Sequence, residues 1–189
     1  MDQETAGHFL LYCILPLWLA AGTADALCHR WADLPSNAGV QESLMHIAQL
    51  IEGAAIVLCA LFLAINAFTI CAMAALIVAH EFTVYCDLRY ASGNRVITPI
   101  EQMVHSVLEM APLMGFATVC LAHRDALASI FSEIGNFSMA LREPPMPAPT
   151  IIAVLLLCLL FGVAPYALEL AACIRASNKR ARTNANERR

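Results

Sequence analysis

Charge is what this 189-residue chain has least of. Aspartate, glutamate, lysine and arginine make up 14% of it, where soluble domains carry roughly a quarter. Hydrophobic residues make up 60% and the mean hydropathy is +0.66. That shortage of charge excludes a soluble globular domain and predicts an all-α, polytopic transmembrane helical bundle. No Cys-x-x-Cys spacing occurs among Cys13, Cys28, Cys59, Cys71, Cys86, Cys120, Cys158 and Cys173. All eight lie in or at the ends of apolar segments and read as small core residues, which argues against disulfides and zinc thiolates. There is no flavin or nicotinamide fingerprint, no internal repeat, and nothing that points to nucleic acid. The N-terminal MDQETAGH lacks the basic region of a signal peptide, so the first apolar segment is expected to stay in the mature chain.

What is present is a series of long apolar runs. The first covers about 8–28, with Pro16 and Trp18 inside it and Trp31 beyond as an interfacial anchor. DLPSNAGV at 33–40 is a turn-rich connection. The run from Leu44 to Tyr85 would make a helix of roughly 63 Å, twice the hydrocarbon thickness, so it must fold back on itself. Asn66 is the turn candidate, giving spans at about 43–64 and 67–90. Thr98-Pro99-Ile100-Glu101 has the form of a capping box with proline at the first helical position, which opens a fourth span at about 98–122. Leu127, Ile130, Phe131, Ile134 and Phe137 recur at three and four and predict one interfacial helix within 125–141. A fifth span at about 150–173 completes a single domain over 1–175, and 176–189 is a polar, basic tail expected to be mobile.

Five spans place the termini on opposite sides. With the tail cytoplasmic, that side receives Arg30, Arg89, Arg95, Arg175, Lys179, Arg180, Arg182, Arg188 and Arg189, against Arg124 and Arg142 outside. The positive-inside rule then predicts the N-terminus outside and the C-terminus in the cytoplasm.

In that orientation eight polar residues fall in the cytoplasmic half. Asp25/His29, Glu42/His46 and Glu101/His105 are i,i+4 pairs and His80/Asp87 is i,i+7, so each couple shares one face of its helix. Asp25, His46, Asp87 and His105 are expected roughly 6–10 Å below the interface, and His80, Glu52 and Glu109 nearer 16 Å. Buried ionisable groups are costly in a bilayer, and a divalent cation offsets several at once. Mixed histidine and carboxylate ligation suits iron, manganese or zinc, and helical bundles hold such ions between facing helices. The spacing here is i,i+4 and departs from the Glu-x-x-His of soluble di-metal bundles. The alternative is a structural polar network closed by Arg89 and Arg95. Glu169 either supports the ligands or, the favoured reading, pairs with Arg175; Glu101 also fits a cap, and Tyr85 and Tyr90 are candidate relays. His8 and His123 belong to the opposite side and read as interfacial.

The phrases DALCHRWADL and HEFTVYCDLRYASGNRVITPIEQMVHS, with the spacing between them, resemble a group of small bacterial multi-pass membrane proteins without an assigned activity. The resemblance covers about 25–110 and implies a bacterial inner-membrane protein with the span-end histidines acting as a set. In kind, the arrangement is similar to membrane di-iron desaturases and hydroxylases. Their HxxxH and HxxHH clusters are absent, so no residue carries over. The expectation is a di-metal oxidoreductase, with di-iron favoured, acting on a lipid, quinone or other apolar substrate. Asp25, His29, Glu42, His46, His80, Asp87, Glu101 and His105 would be ligands, and electrons would come from a partner protein. The alternatives are an intramembrane zinc hydrolase of lipid amides or esters, and a non-catalytic haem or metal carrier.

Overall fold

The apolar runs fold into helices because a backbone surrounded by apolar side chains must satisfy its own polar groups, and a helix does so within one segment. In the computed structural model, which describes residues 1–132 and 135–187, the chain is an all-α bundle. Five helices are long and apolar enough to cross a membrane: α1 Gln3–Trp31, α2 Gly39–Phe62, α3 Ala67–Asn94, α4 Pro99–Ala122 and α6 Ala148–Glu187. The short α5, Arg124–Ser129, follows α4. The closest packing is of α2 on α3 and α6, and of α1 on α4.

Exposure is inverted relative to a soluble fold. Tyr12, Leu17, Ile51, Val78, Phe82 and Leu160 face outward, while Asp25, His29, Glu42, His46, Glu101 and His105 are buried. That pattern suits a bundle whose outer surface meets hydrocarbon.

Prolines set the shape of the first and last spans. Each carries a π-helical segment just ahead of a proline, Leu10–Ile14 before Pro16 and Cys158–Val163 before Pro165. Proline has no N–H for the carbonyl four residues back and its ring clashes with that carbonyl, so the helix widens there. For Pro165 that carbonyl belongs to Phe161, and the Thr23 hydroxyl of α1 donates to it at 3.1 Å. The hydrogen bond broken by the ring is thus replaced by one that ties α6 to α1. Glycine permits a second close approach, because a Cβ at Gly53 of α2 would stand 2.6 Å from Cη2 of the Trp18 indole.

The turn between α2 and α3 falls at Asn66, whose side chain caps α3 by accepting from the Thr69 N–H at 3.1 Å. A second segment completes this turn. The Ala64 N–H donates to the Ala140 carbonyl at 2.9 Å, and the Arg142 N–H to the Phe62 carbonyl at 2.8 Å. Leu63 and Leu141 form an antiparallel bridge. The interfacial helix expected through Phe137 therefore ends at Ser129, and from Asn136 the chain is extended, where it serves the turn's unpaired backbone groups. Ile134, part of the predicted helical stripe, lies outside the described residues.

Two further readings change. The tail expected to be mobile continues α6 as helix to Glu187, and Arg180 Nη2 donates to the Ser36 carbonyl at 2.6 Å, which fastens it to the α1–α2 connection. Arg188 and Arg189 lie outside the described residues. Of the cysteines, all free, only Cys28 and Cys173 are buried, and Cys13 and Cys71 face outward.

Replacing Thr23 with valine keeps the shape of the side chain and removes the donor to Phe161. The variant is expected to lose about 0.6–1.7 kcal/mol, the range of interhelical hydrogen bonds in membrane bundles, and Thr23→Ser to retain the wild-type value. Denaturant unfolding in detergent checks both.

Candidate metal centre

At one end of the bundle α1, α2 and α4 each bring an acidic residue and a histidine, and α3 brings Asp87. A four-residue step along a helix advances about 6 Å and turns little more than one revolution, so both side chains of an i,i+4 pair reach the same space. Asp25 and His29 descend from α1, Glu42 and His46 from α2, Asp87 from α3, Glu101 and His105 from α4. All seven are buried.

Glu169 of α6 holds the arrangement together. Its Oε2 lies 2.7 Å from His29 Nδ1 and its Oε1 2.8 Å from His46 Nδ1. The two imidazoles stack with centroids 4.4 Å apart and planes 8° from parallel. A carboxylate accepts only, so both histidines must donate from Nδ1, and both Nε2 atoms are left for other work. His29 Nε2 is 3.4 Å from Asp25 Oδ1 and 3.6 Å from Glu101 Oε1. His46 Nε2 is 3.2 Å from Asp87 Oδ2 and 4.0 Å from Glu42 Oε1. His105 Nε2 is 2.9 Å from Asp25 Oδ1. Tyr166, one turn before Glu169, donates to Asp25 Oδ2 at 3.1 Å, and Gln49 donates to Asp87 Oδ2 at 3.0 Å.

Apart from the 4.0 Å between His46 and Glu42, these separations are close to those of ligands that share an ion. Bonds of about 2.0–2.2 Å to nitrogen and oxygen place neighbouring donors roughly 3–3.5 Å apart. Two groups of donor atoms lie within 4.8 Å of one another: Asp25, His29, Glu101 and His105, and His29, Glu42 and His46. Either group could hold a metal ion, and they meet at His29.

Charge makes the same point. With neutral imidazoles, Asp25, Glu42, Asp87, Glu101 and Glu169 set five negative charges against the guanidinium of Arg95, the one guanidinium at the cluster among the described residues. Arg95 Nη2 stands 2.6 Å from Glu42 Oε1 and 2.6 Å from Glu101 Oε1. This residue follows α3 directly, and its buried head bridges the starts of α2 and α4. Lying outside the spans, it is held even more firmly charged than usual: burial opposes its charge, but the bonds to Glu101 and Glu42 outweigh that cost. Four negative charges remain, which protons on the imidazoles or divalent cations must offset.

Glu101 serves twice. Its Oε2 accepts from the Thr98 N–H at 3.4 Å while Thr98 Oγ1 accepts from the Glu101 N–H at 3.2 Å, closing the capping box, and its Oε1 faces Arg95 and His29.

His80 stands apart from the two donor groups. Seven residues separate it from Asp87, roughly 10 Å along α3. Its Nδ1 is 3.5 Å from Glu52 Oε2, and Thr83 Oγ1 donates to Glu52 Oε1 at 2.9 Å. Tyr85 is exposed and Tyr90 donates to the Ala38 carbonyl at 3.1 Å, so neither touches the cluster. The phenol that does is Tyr166. Glu169 contacts the two histidines and not Arg175. Its signal in the sequence was its rarity: it is the single carboxylate of the apolar part of α6, and ionisable groups in such segments are rarely idle.

A cavity of about 120 Å³ adjoins the cluster. Asp25, His46, Asp87 and His105 form part of its wall, and the remainder is largely apolar, including Leu50, Val57 and Phe161.

The chain was compared with family models, with curated proteins and with solved structures. None matches.

Removing Arg95 leaves Glu42 and Glu101 without their guanidinium. Arg95→Ala is expected to cost about 3–5 kcal/mol in metal-free protein, the penalty for an uncompensated buried charge. Added Zn²⁺ or Mn²⁺ should recover part of that loss, as thermal unfolding with and without the ion will show.

Proposed function

We propose that the cluster is a metal centre, and that the protein is a membrane-embedded non-haem di-metal oxidoreductase, with iron the favoured metal, acting on an apolar substrate. The observation that carries the reading is the pair of histidines held by Glu169. A metal-binding histidine typically gives its other ring N–H to a carboxylate, which fixes the tautomer and makes the ligating nitrogen more basic. His29 and His46 both have that relationship to one carboxylate, and their Nε2 atoms turn toward Asp25, Glu101, Asp87 and Glu42.

Asp25, His29, Glu101 and His105 would hold one ion, and Glu42 and His46, which share the second group with His29, another, with Asp87 beside His46. Two divalent cations would match the four negative charges left after Arg95. Mixed oxygen and nitrogen donors suit iron or manganese, and iron would supply redox chemistry that the side chains lack. Tyr166, hydrogen-bonded to Asp25, is placed to hold or pass a proton. The apolar wall of the adjoining cavity would select a hydrocarbon substrate and keep water from the ions. Electrons would come from a partner protein. The charge distribution supports a bacterial inner-membrane setting with the cluster at the cytoplasmic face.

Elemental analysis and an optical spectrum of detergent-purified protein, grown with iron and zinc both supplied, test the reading. About two irons per chain without a Soret band is expected. One zinc per chain would replace the oxidoreductase by a hydrolase, a Soret band by a haem carrier, and no metal at all by a polar network with protonated histidines. His46→Ala and His105→Ala are each expected to lose half or more of the metal, while His80→Ala and His123→Ala keep it. Equal metal in all four variants would remove the cluster from the site.

A further inference from the structure

A second cavity, of about 160 Å³, adjoins the one at the cluster. Trp18 and Val57 belong to both walls, and the second cavity continues to the opposite end of the helices. The second cavity is lined mainly by alanine, leucine, isoleucine and valine, with Gly7 and Gly115 leaving room. At its far end stand Gln3, His123 and Arg142. Gln3 Nε2 lies 3.5 Å from His123 Nδ1. Burial and the nearby Arg142 guanidinium hold His123 below its usual range, so it is a neutral donor or acceptor beside a fixed positive charge.

We propose that the two cavities are one binding site for a single long-chain carboxylic acid, its head on Arg142 and its chain running past Trp18 to the polar cluster. Charge fixes the direction. A carboxylate is attracted by the Arg142 guanidinium at the far end, where His123 and Gln3 add hydrogen-bonding groups. Length supports a single extended chain. Gly7 and Asp25, on the walls of the two cavities, are eighteen residues apart on α1, roughly 27 Å. One bilayer leaflet supplies only about 15 Å of hydrocarbon. A lipid tail lying within one leaflet would not reach both ends. Trp18 lies on Gly53 between the cavities, so the indole borders the middle of the chain. The meeting of the chain's tail with the cluster deepens the metal-centre reading and rests on it, whereas the binding itself does not.

The chain has two tryptophans, so Trp31→Phe leaves Trp18 as the sole indole reporter. Full-length protein carrying this change, in detergent micelles, is titrated with stearic acid brominated at mid-chain, and in parallel with its methyl ester. Saturable quenching of Trp18 by the acid is expected, with the ester at least about tenfold weaker, the loss of one charge-assisted contact. Arg142→Gln should weaken the acid by a similar factor and Arg142→Lys by much less. Gly7→Leu should abolish saturable quenching by filling the second cavity, and it should fold, since a Cβ at Gly7 has no neighbour within 4 Å. Quenching that rises linearly with probe, or that is equal for acid and ester and unchanged by Arg142→Gln and Gly7→Leu, would overturn the proposal. Metal content of the same preparations separates the two readings. Acid binding without metal sinks the metal centre alone, and metal without acid binding sinks this site alone.

Discussion

Five carboxylates buried in an apolar bundle are the constraint on which the rest of this structure depends. Each would cost several kcal/mol if left uncompensated in such surroundings, so their counter-charges must be built in or captured. Arg95 supplies one, from the loop between α3 and α4, and it bridges the starts of α2 and α4. The remaining negative charge is shared among three imidazoles and whatever cation joins them. Because acids and histidines come from all five spanning helices, the same electrostatics that threatens the fold also decides which helix ends meet.

The helices can answer that demand because of where their irregularities lie. The i,i+4 pairs require ordinary α-helix at the end of α1 and the starts of α2 and α4, and the structure is regular there. The π-helical segments sit deeper, ahead of Pro16 and Pro165. In α6 this matters for the site. An extra residue in one turn rotates everything beyond it by roughly 100°. Tyr166 and Glu169 follow immediately and face the cluster, while the Phe161 carbonyl freed by the ring is taken up by Thr23. The freed Phe161 carbonyl and the placement of the bridging carboxylate are two results of one local distortion.

Much of this was legible in the sequence, and the residues show why. Apolar length marked the spans, Asn66 the hairpin between α2 and α3, and Thr98 to Glu101 the start of α4, because caps and turns are local chemistry. The acid–histidine pairs were legible because helix periodicity is also local. For Glu169 the favoured pairing with Arg175 failed and support of the histidines held, since its partners lie more than a hundred residues away and the proline that turns its face toward them looks from sequence like a simple kink. His80 matched the other histidines in type and periodicity, yet a seven-residue step on one helix carries it to Glu52 instead. The segment after α5 carried a helical stripe, but the unpaired backbone of the α2–α3 turn drew it into extended pairing. In each case a long-range partner overrode a local pattern.

The asymmetry of the bundle bears on what kind of metal chemistry it can serve. A conduit for ions or protons needs polar groups along its whole length, whereas here the polar residues crowd one end and the interior beyond Trp18 is apolar until Arg142 and His123. Beyond the cluster, His80 with Glu52 reaches one step farther into the apolar half. An ion entering the cluster therefore meets low-dielectric walls ahead of it, which favours retention over passage. The same walls suit a hydrocarbon. On the proposed reading a bound cation and an apolar chain would approach one another from opposite ends of the molecule, each in the environment that stabilises it. That is the geometry a site needs if a resident metal is to act on carbon atoms with no polar handle of their own.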